Sequence, residues 1–215
     1  MAITVVQGTP KATGGSGPSI ACVFATPPVV AHGIIVFVNV WRNTGLPVPD
    51  GCTDNFGNTY VRVSTQANAQ GATALFYCAA VVATGASFTV TVTSTTASFW
   101  VAKAVECSGG LVVDQFVGAT GVSATPATGP TAALTGTDVL QSACHVILGS
   151  HTSITVGIVT PPWVQEFEEL PSTIVAGEAD TRSVSAAAGT TPSCSWTDTA
   201  VSSWAAVLVA FKAAA

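Results

Sequence analysis

Charge is what this chain has least of. Only 8% of its 215 residues are Asp, Glu, Lys or Arg, against about 25% in ordinary globular proteins. Six Lys plus Arg and a net charge of -5 leave no basic stripe to neutralise phosphates, so neither nucleic acid nor an anionic membrane surface is an expected partner. The longest apolar run, Trp204 to Phe211, is less than half of what a membrane helix needs, and no transmembrane segment is predicted. The opening residues, Met1 to Pro10, carry neither a positive n-region nor an apolar stretch of signal-peptide length, which argues against a secretory leader. Sustained 3.6-residue periodicity with caps is missing throughout, so helices longer than a turn are not expected.

Chemical motifs are missing too. The six cysteines (Cys22, Cys52, Cys78, Cys107, Cys144, Cys194) form no C-x-x-C and no zinc spacing. There is no G-x-S-x-G, no P-loop and no dinucleotide fingerprint, and the glycines from Gly14 to Gly17 do not join a strand to a helix. The chain is therefore read as a non-enzyme, with no catalytic residues, no cofactor and no metal assigned.

What the sequence does have is 48% hydrophobic residues in a background of Gly, Ala, Thr, Ser and Val. A chain of this length buries about 70% of its unfolded surface, enough for a core without staples. A surface so poor in charge has little to keep copies apart, which favours a component that lives packed against neighbours.

An internal repeat organises the chain. An offset of 104 sets Trp100 on Trp204 and also aligns Gly85 with Gly189, Thr93 with Thr197, Ser98 with Ser202, Ala102 with Ala206 and Val105 with Val209. It brings Tyr60 within one position of Trp163. Shared Thr/Ala/Val composition is the competing account of the match. Each copy reads as about six short strands bounded by Gly, Pro, Asn or Asp. In the first these are Ser19 to Phe24, Ile34 to Trp41, Asn58 to Thr65, Ala74 to Val81, Ser87 to Thr93 and Phe99 to Cys107. In the second, strands are expected near Ala143 to Leu148, Trp163 to Glu169, Thr173 to Glu178, Ser193 to Thr197 and Trp204 to Phe211. The predicted fold is all-β, an antiparallel β-sandwich or jelly roll made of two tandem repeats. A flexible arm covers 1–18, the first repeat 19–117 and the second 118–215, either as a separate unit or continuous with the first. The stretch from Gly118 to Gly129 reads as a linker or loop.

Four groups of residues invite a chemical reading. The offset places Cys144 on Val40, Cys194 on Val90 and Cys107 on Phe211, which marks these three as small core side chains; a disulfide such as Cys52 to Cys78 is the alternative in an oxidising compartment. Cys144, His145 and His151 resemble a metal cluster, but sequence neighbours on a strand point to opposite faces. His32 reads as an ordinary turn residue. Asp50, Asp54, Asn55 and Asn58 surround Gly57 and superficially offer calcium oxygens, although a turn feeding the strand at Tyr60 accounts for them without an ion. Glu166 and Glu168, two apart on a predicted strand, are expected on one face about 6 to 7 Å apart, the spacing of an inverting glycosidase pair, or else on a solvated strand edge. Trp100, Trp196 and Trp204 are expected in the core. Trp41 and Trp163, at strand ends, are the candidate glycan contacts.

Asp54-Asn-Phe-Gly-Asn-Thr-Tyr60, Trp100-Val-Ala-Lys-Ala-Val-Glu-Cys-Ser-Gly109 and Trp204-Ala-Ala-Val-Leu-Val-Ala-Phe-Lys212 together resemble a family of Ala/Thr/Gly-rich β-sandwich proteins of bacterial and phage genomes. The likeness spans nearly the whole chain after residue 18, and several members look like phage virion components. Where that pattern has an aromatic before Ser108-Gly109, this chain has Cys107. The resemblance implies a structural protein of a tailed-phage virion, a capsid decoration or cement protein before a tail or fibre component. Its partners would be the major capsid protein or other virion proteins and further copies of itself, and its place the virion, assembled in the host cytoplasm. A carbohydrate-binding or adhesion module is the alternative.

Overall fold

The computed structural model describes residues 3–42, 45–68, 70–136, 138–148, 154–156, 163–172, 175–185, 188–198 and 201–214. Fourteen strands and no helix occur among them. The first half contributes β1 (Val5–Gly8), β2 (Ala12–Val23), β3 (Gly33–Trp41), β4 (Pro49–Asp54), β5 (Val61–Ala67), β6 (Gly71–Cys78) and β7 (Thr89–Cys107). The second contributes β8 (Leu111–Ser123), β9 (Asp138–Leu148), β10 (Ile154–Val156), β11 (Val164–Ser172), β12 (Val175–Ser185), β13 (Trp196–Asp198) and β14 (Ser202–Ala213).

The chain is an antiparallel β-sandwich, as composition and turn spacing predict. The first sheet runs β1-β7-β3-β6-β5, with β2 and β4 also paired to β7, and the second runs β8-β14-β9-β12-β11. Each half therefore supplies one sheet, and the halves meet face to face across a shared core rather than forming two sandwiches in tandem. β3 (GIIVFVNVW) is buried along its whole length, as an unbroken apolar strand covered on both faces must be. Ile35, Phe37 and Trp41 point into the core between the sheets, where they meet Leu140, Val146, Val207, Val209 and Phe211. Ile34, Val36, Val38 and Val40 point outward into a second core, under a cover formed by β2, β4 and the start of β7. A third core lies outside the second sheet and contains Ala143, Ile147, Trp196, Trp204 and Leu208. Trp100, Trp196 and Trp204 are thus core residues, no more than 7% exposed.

In chain order the two sheets are built alike. Each begins with an outer strand (β1, β8) beside the last strand of its half (β7, β14), followed inward by β3 or β9, β6 or β12, and β5 or β11. β1 bulges at Val6, between Val5 opposite Cys107 and Gln7 opposite Glu106. β8 bulges at Asp114, between Val113 opposite Phe211 and Gln115 opposite Ala210. β5 skips Val63 in its pairing with β6, and β11 skips Glu166 in its pairing with β12. The covers correspond as well: β10 pairs Val156 with Trp196 as β4 pairs Cys52 with Val92. The offset of 104 holds for these covers and for β7 with β14, and it becomes 103 on β5 and β11. On β9 it becomes 107, because Ile147 faces Trp204 where Val40 faces Trp100. Cys144 consequently stands at the place of Phe37, not of Val40.

The N-terminal segment corrects an expectation. Residues 1–18 were to be a flexible arm, yet β1 and the start of β2 are laddered to β7. Ile3 is 1% exposed, its carbonyl accepts the Ser183 hydroxyl at 2.8 Å, and Gln7 Nε2 donates to Glu106 at 2.6 Å. Backbone ladder bonds and one buried aliphatic side chain hold the segment in spite of its glycines. Likewise, Gly118 to Ser123, expected as linker, continues β8.

Candidate functional site

The fold places polar groups unevenly. At corresponding positions the first half is apolar and the second is not, and the difference gathers on β11 and β12. On the outward face of β12, Glu178, Asp180 and Arg182 occupy the places of Ala74, Phe76 and Cys78 on β6. On β9, Gln141 and His145 take the places of Ile34 and Val38, and on β13 Trp196 takes that of Val92.

This outward cluster is sealed. Glu178, Asp180 and His145 are each 0% exposed and Arg182 7%. Gln165 Nε2 donates to Glu178 Oε1 at 2.6 Å, Trp196 Nε1 to Asp180 Oδ2 at 3.0 Å and Arg182 Nε to Gln141 Oε1 at 2.7 Å. The His145 ring lies 4.3 Å from that of Trp196, and the Arg182 guanidinium lies 4.5 Å over the Trp163 ring. Glu178 Oε2 and Asp180 Oδ1 find no donor among the described residues. Burial pushes both carboxyls well above the usual carboxylate range; the charge of Glu178 raises Asp180 further, and that of Glu168 adds to the rise of Glu178. Desolvation also lowers the Arg182 guanidinium.

On the inward side of the same two strands a cleft opens between the sheets. It encloses about 450 Å³ and is lined by Val5, Lys103, Leu140, Val164, Gln165, Glu166, Thr181, Arg182 and Ser183. Lys103 Nζ pairs with Glu166 Oε2 at 2.9 Å and also donates to the Glu166 carbonyl at 2.8 Å. The Thr181 hydroxyl donates to Glu166 Oε1 at 2.7 Å. The carboxylate is 6% exposed and the ammonium 18%. β11 is an edge strand, and its carbonyls at Glu166 and Glu168 accept Lys103 and Lys11 respectively. Lysines on an unpaired edge discourage strand addition.

The expected Glu166/Glu168 pair is not formed. Glu166 is the extra residue of the β11 bulge and turns to Lys103 and Thr181, whereas Glu168 stands opposite Glu178. The bulge breaks the alternation that would have set them side by side. Trp41 is 9% exposed and stacks on Phe99 at 6.1 Å. Trp163 is half-buried against the third core with Arg182 over one face. The two tryptophans thus lie on opposite sides of the second sheet and share no surface. Asp54 accepts the backbone N–H of Phe56 and Asn58, the Asn58 amide and the Tyr60 hydroxyl, so its oxygens are engaged in building the turn; Asp50 accepts Thr93 and Asn55 bonds Ser87 and Thr89.

His32 does more than turn the chain. It bonds Glu106 at 2.6 Å, and this fully buried carboxylate also takes Gln7 and the Val29 N–H. All six cysteines are free thiols, Cys52 and Cys78 included. Burial pushes the thiols up, Cys144 and Cys22 to about 12 and Cys78 to about 11, which makes them poor nucleophiles. Cys107 is raised too, foremost by burial and then by the charge of Glu166. Of the Cys144, His145, His151 group, His151 lies outside the described residues.

Sequence reading missed Glu178, Asp180 and Arg182 because β12 was expected to end at Glu178. The available signal was the offset of 104, at which these charges fall on Ala74, Phe76 and Cys78 in an apolar strand. No family model, curated protein or solved structure matches the chain.

Proposed function

We propose that this protein is a non-enzymatic structural component of a tailed-phage particle, a capsid decoration protein that adheres to its neighbours through an almost uncharged surface. One observation carries the reading. Among the charged residues whose side chains are described, Lys11, Asp50 and Arg62 are exposed, Arg42, Asp54, Lys103, Asp114, Glu166, Glu168 and Lys212 are half-buried, and Glu106, Glu178, Asp180, Arg182 and Asp198 are buried. The surface left for contact is hydroxyls, small side chains and scattered apolar groups such as Phe116, Val122 and Val201. Such a face binds by excluding water over area, with little electrostatic steering. The resemblance to virion-type β-sandwich proteins points the same way.

Mass spectrometry of purified particles from a producing culture tests the reading. The chain is expected at a fixed, high ratio to the major capsid protein and is expected to stay bound through washes from low to high salt. Absence from the particles, or release at moderate salt, overturns it.

We further infer an internal duplication whose unit is one sheet with its cover. The repeated strand order, cover pairing and both bulges support it, since composition does not reproduce a bulge.

A further inference from the structure

We propose that the cleft between the sheets, at Lys103, Glu166 and Thr181, is a binding site for a neutral hydroxyl-rich ligand of about one hexose unit. It goes beyond the virion reading and stands or falls separately from it.

The molecule contains its own control. Glu166 corresponds to Val63, Lys103 to Val207, Thr181 to Tyr77 and Cys107 to Phe211. At the first-half end of the sandwich these places are filled. Val207 and Phe211 are buried in the inter-sheet core with Val63 and Tyr77 packed on it, and the Tyr77 and Phe211 rings lie 5.4 Å apart. β8, thirteen residues long, lies against β5 there. At the other end β1 and the start of β2 take the place of β8 beside β7, and smaller or polar side chains replace the aromatic pair. The fold accepts an apolar plug at one end, so the 450 Å³ polar cleft at the other is not required by the fold. That volume lies within the range of about 300–1,000 Å³ usual for small-molecule sites.

The lining selects the class of ligand. Lys103 and Glu166 neutralise each other, so a cation would meet Lys103, and an anion would meet Glu166. An apolar guest would strip water from an ion pair without replacing its hydrogen bonds. A zwitterion would have to break the pair. What remains unspent is mixed: an N–H of Lys103 beyond its two bonds to Glu166, and the acceptor lone pairs of Thr181 and Ser183, whose protons go to Glu166 and Ile3. Adjacent donors and acceptors suit hydroxyl groups, each of which both gives and takes a hydrogen bond.

The test is saturation-transfer NMR on the full chain with glucose, galactose, mannose and N-acetylglucosamine, and with glycine and inorganic phosphate as controls. Transfer to the ring protons of at least one saccharide is expected. Two variants borrow side chains from the other half. Lys103→Val with Glu166→Val recreates the Val207 and Val63 pair, and Thr181→Tyr recreates Tyr77. Either is expected to cut the transfer at least tenfold, with the thermal midpoint serving as the check on folding. The double variant should melt no lower than the parent, because apolar replacement of a buried pair is commonly neutral or stabilising. No transfer from any saccharide, transfer only from glycine or phosphate, or transfer that survives in a folded variant overturns the proposal.

Discussion

Glu178 and Asp180 keep protons in the fold that the unfolded chain releases above a pH of about 4. The native state therefore binds more protons, and stability, complete below that value, is lost as pH rises through about 7 for Glu178 and about 9 for Asp180. The thermal midpoint is expected to fall steadily from about pH 5 to about pH 9, and Glu178→Gln with Asp180→Asn to flatten that fall. A midpoint of the parent chain that does not change over this interval would contradict the burial described for the pair. Asn39 presents a different case. It is buried between the sheets, donates to the His145 carbonyl at 2.8 Å and accepts Cys144 Sγ at 3.2 Å. A Cβ on Gly177 would overlap its Nδ2. Gly177→Ala is expected to cost about 1–3 kcal/mol through overpacking, and less in an Asn39→Ala background. Denaturant midpoints of the four chains in that cycle measure the coupling.

Among the elements, β3 and β14 were the easiest to read, because a run of β-branched and aromatic residues with no polar alternation has few other homes. β7 was read as two strands, and it is one of 19 residues that leaves the outer cover and enters the sheet. β1 and β8 were missed. Their positions in the sheet come from pairing with a long central neighbour, and sequences such as VVQG or FVGATG carry no periodicity that announces it. The cleft was legible only as isolated letters. Glu166 was singled out for the wrong partner, because the bulge that reverses its side chain is set by the pairing of β11 with β12 and leaves no mark on the local alternation. β1 supplies the prediction at this scale. A chain beginning at Lys11 loses Ile3, the Gln7 bond to Glu106 and a backbone ladder, and it is expected to unfold at lower denaturant by about 2–4 kcal/mol. An unchanged midpoint would restore the flexible-arm reading.

At the scale of the whole molecule, the shared core decides how the halves behave apart. Ile35, Phe37, Leu75, Val101 and Val105 from one sheet bury the same surface as Val146, Ala205, Val207 and Phe211 from the other. Neither half has an apolar face it can hide alone. Residues 1–109 and 110–215 expressed separately are expected to lack near-ultraviolet circular dichroism, and mixing them to restore it. Two fragments that each melt cooperatively would instead make the halves independent domains. Composition gave the class of fold readily, because sparse charge and frequent small β-formers leave few alternatives. It could not reveal that each half of the chain would be one sheet rather than one sandwich, since that depends on which face each half turns to the other.

One turn joins the halves and also receives Thr4 and Ala214, which flank the first and last described strands. Thr4 exchanges bonds with Ser108, and the Ala214 N–H reaches the Gly110 carbonyl at 3.0 Å. Path and sheet close into something near a ring, cut at one place and linked at a neighbouring one. A gene reordered to start at Gly110 and end at Gly109, with a short bridge between the old ends, would specify every pairing described above. The order in which the two sheets are synthesised is thus a matter of history.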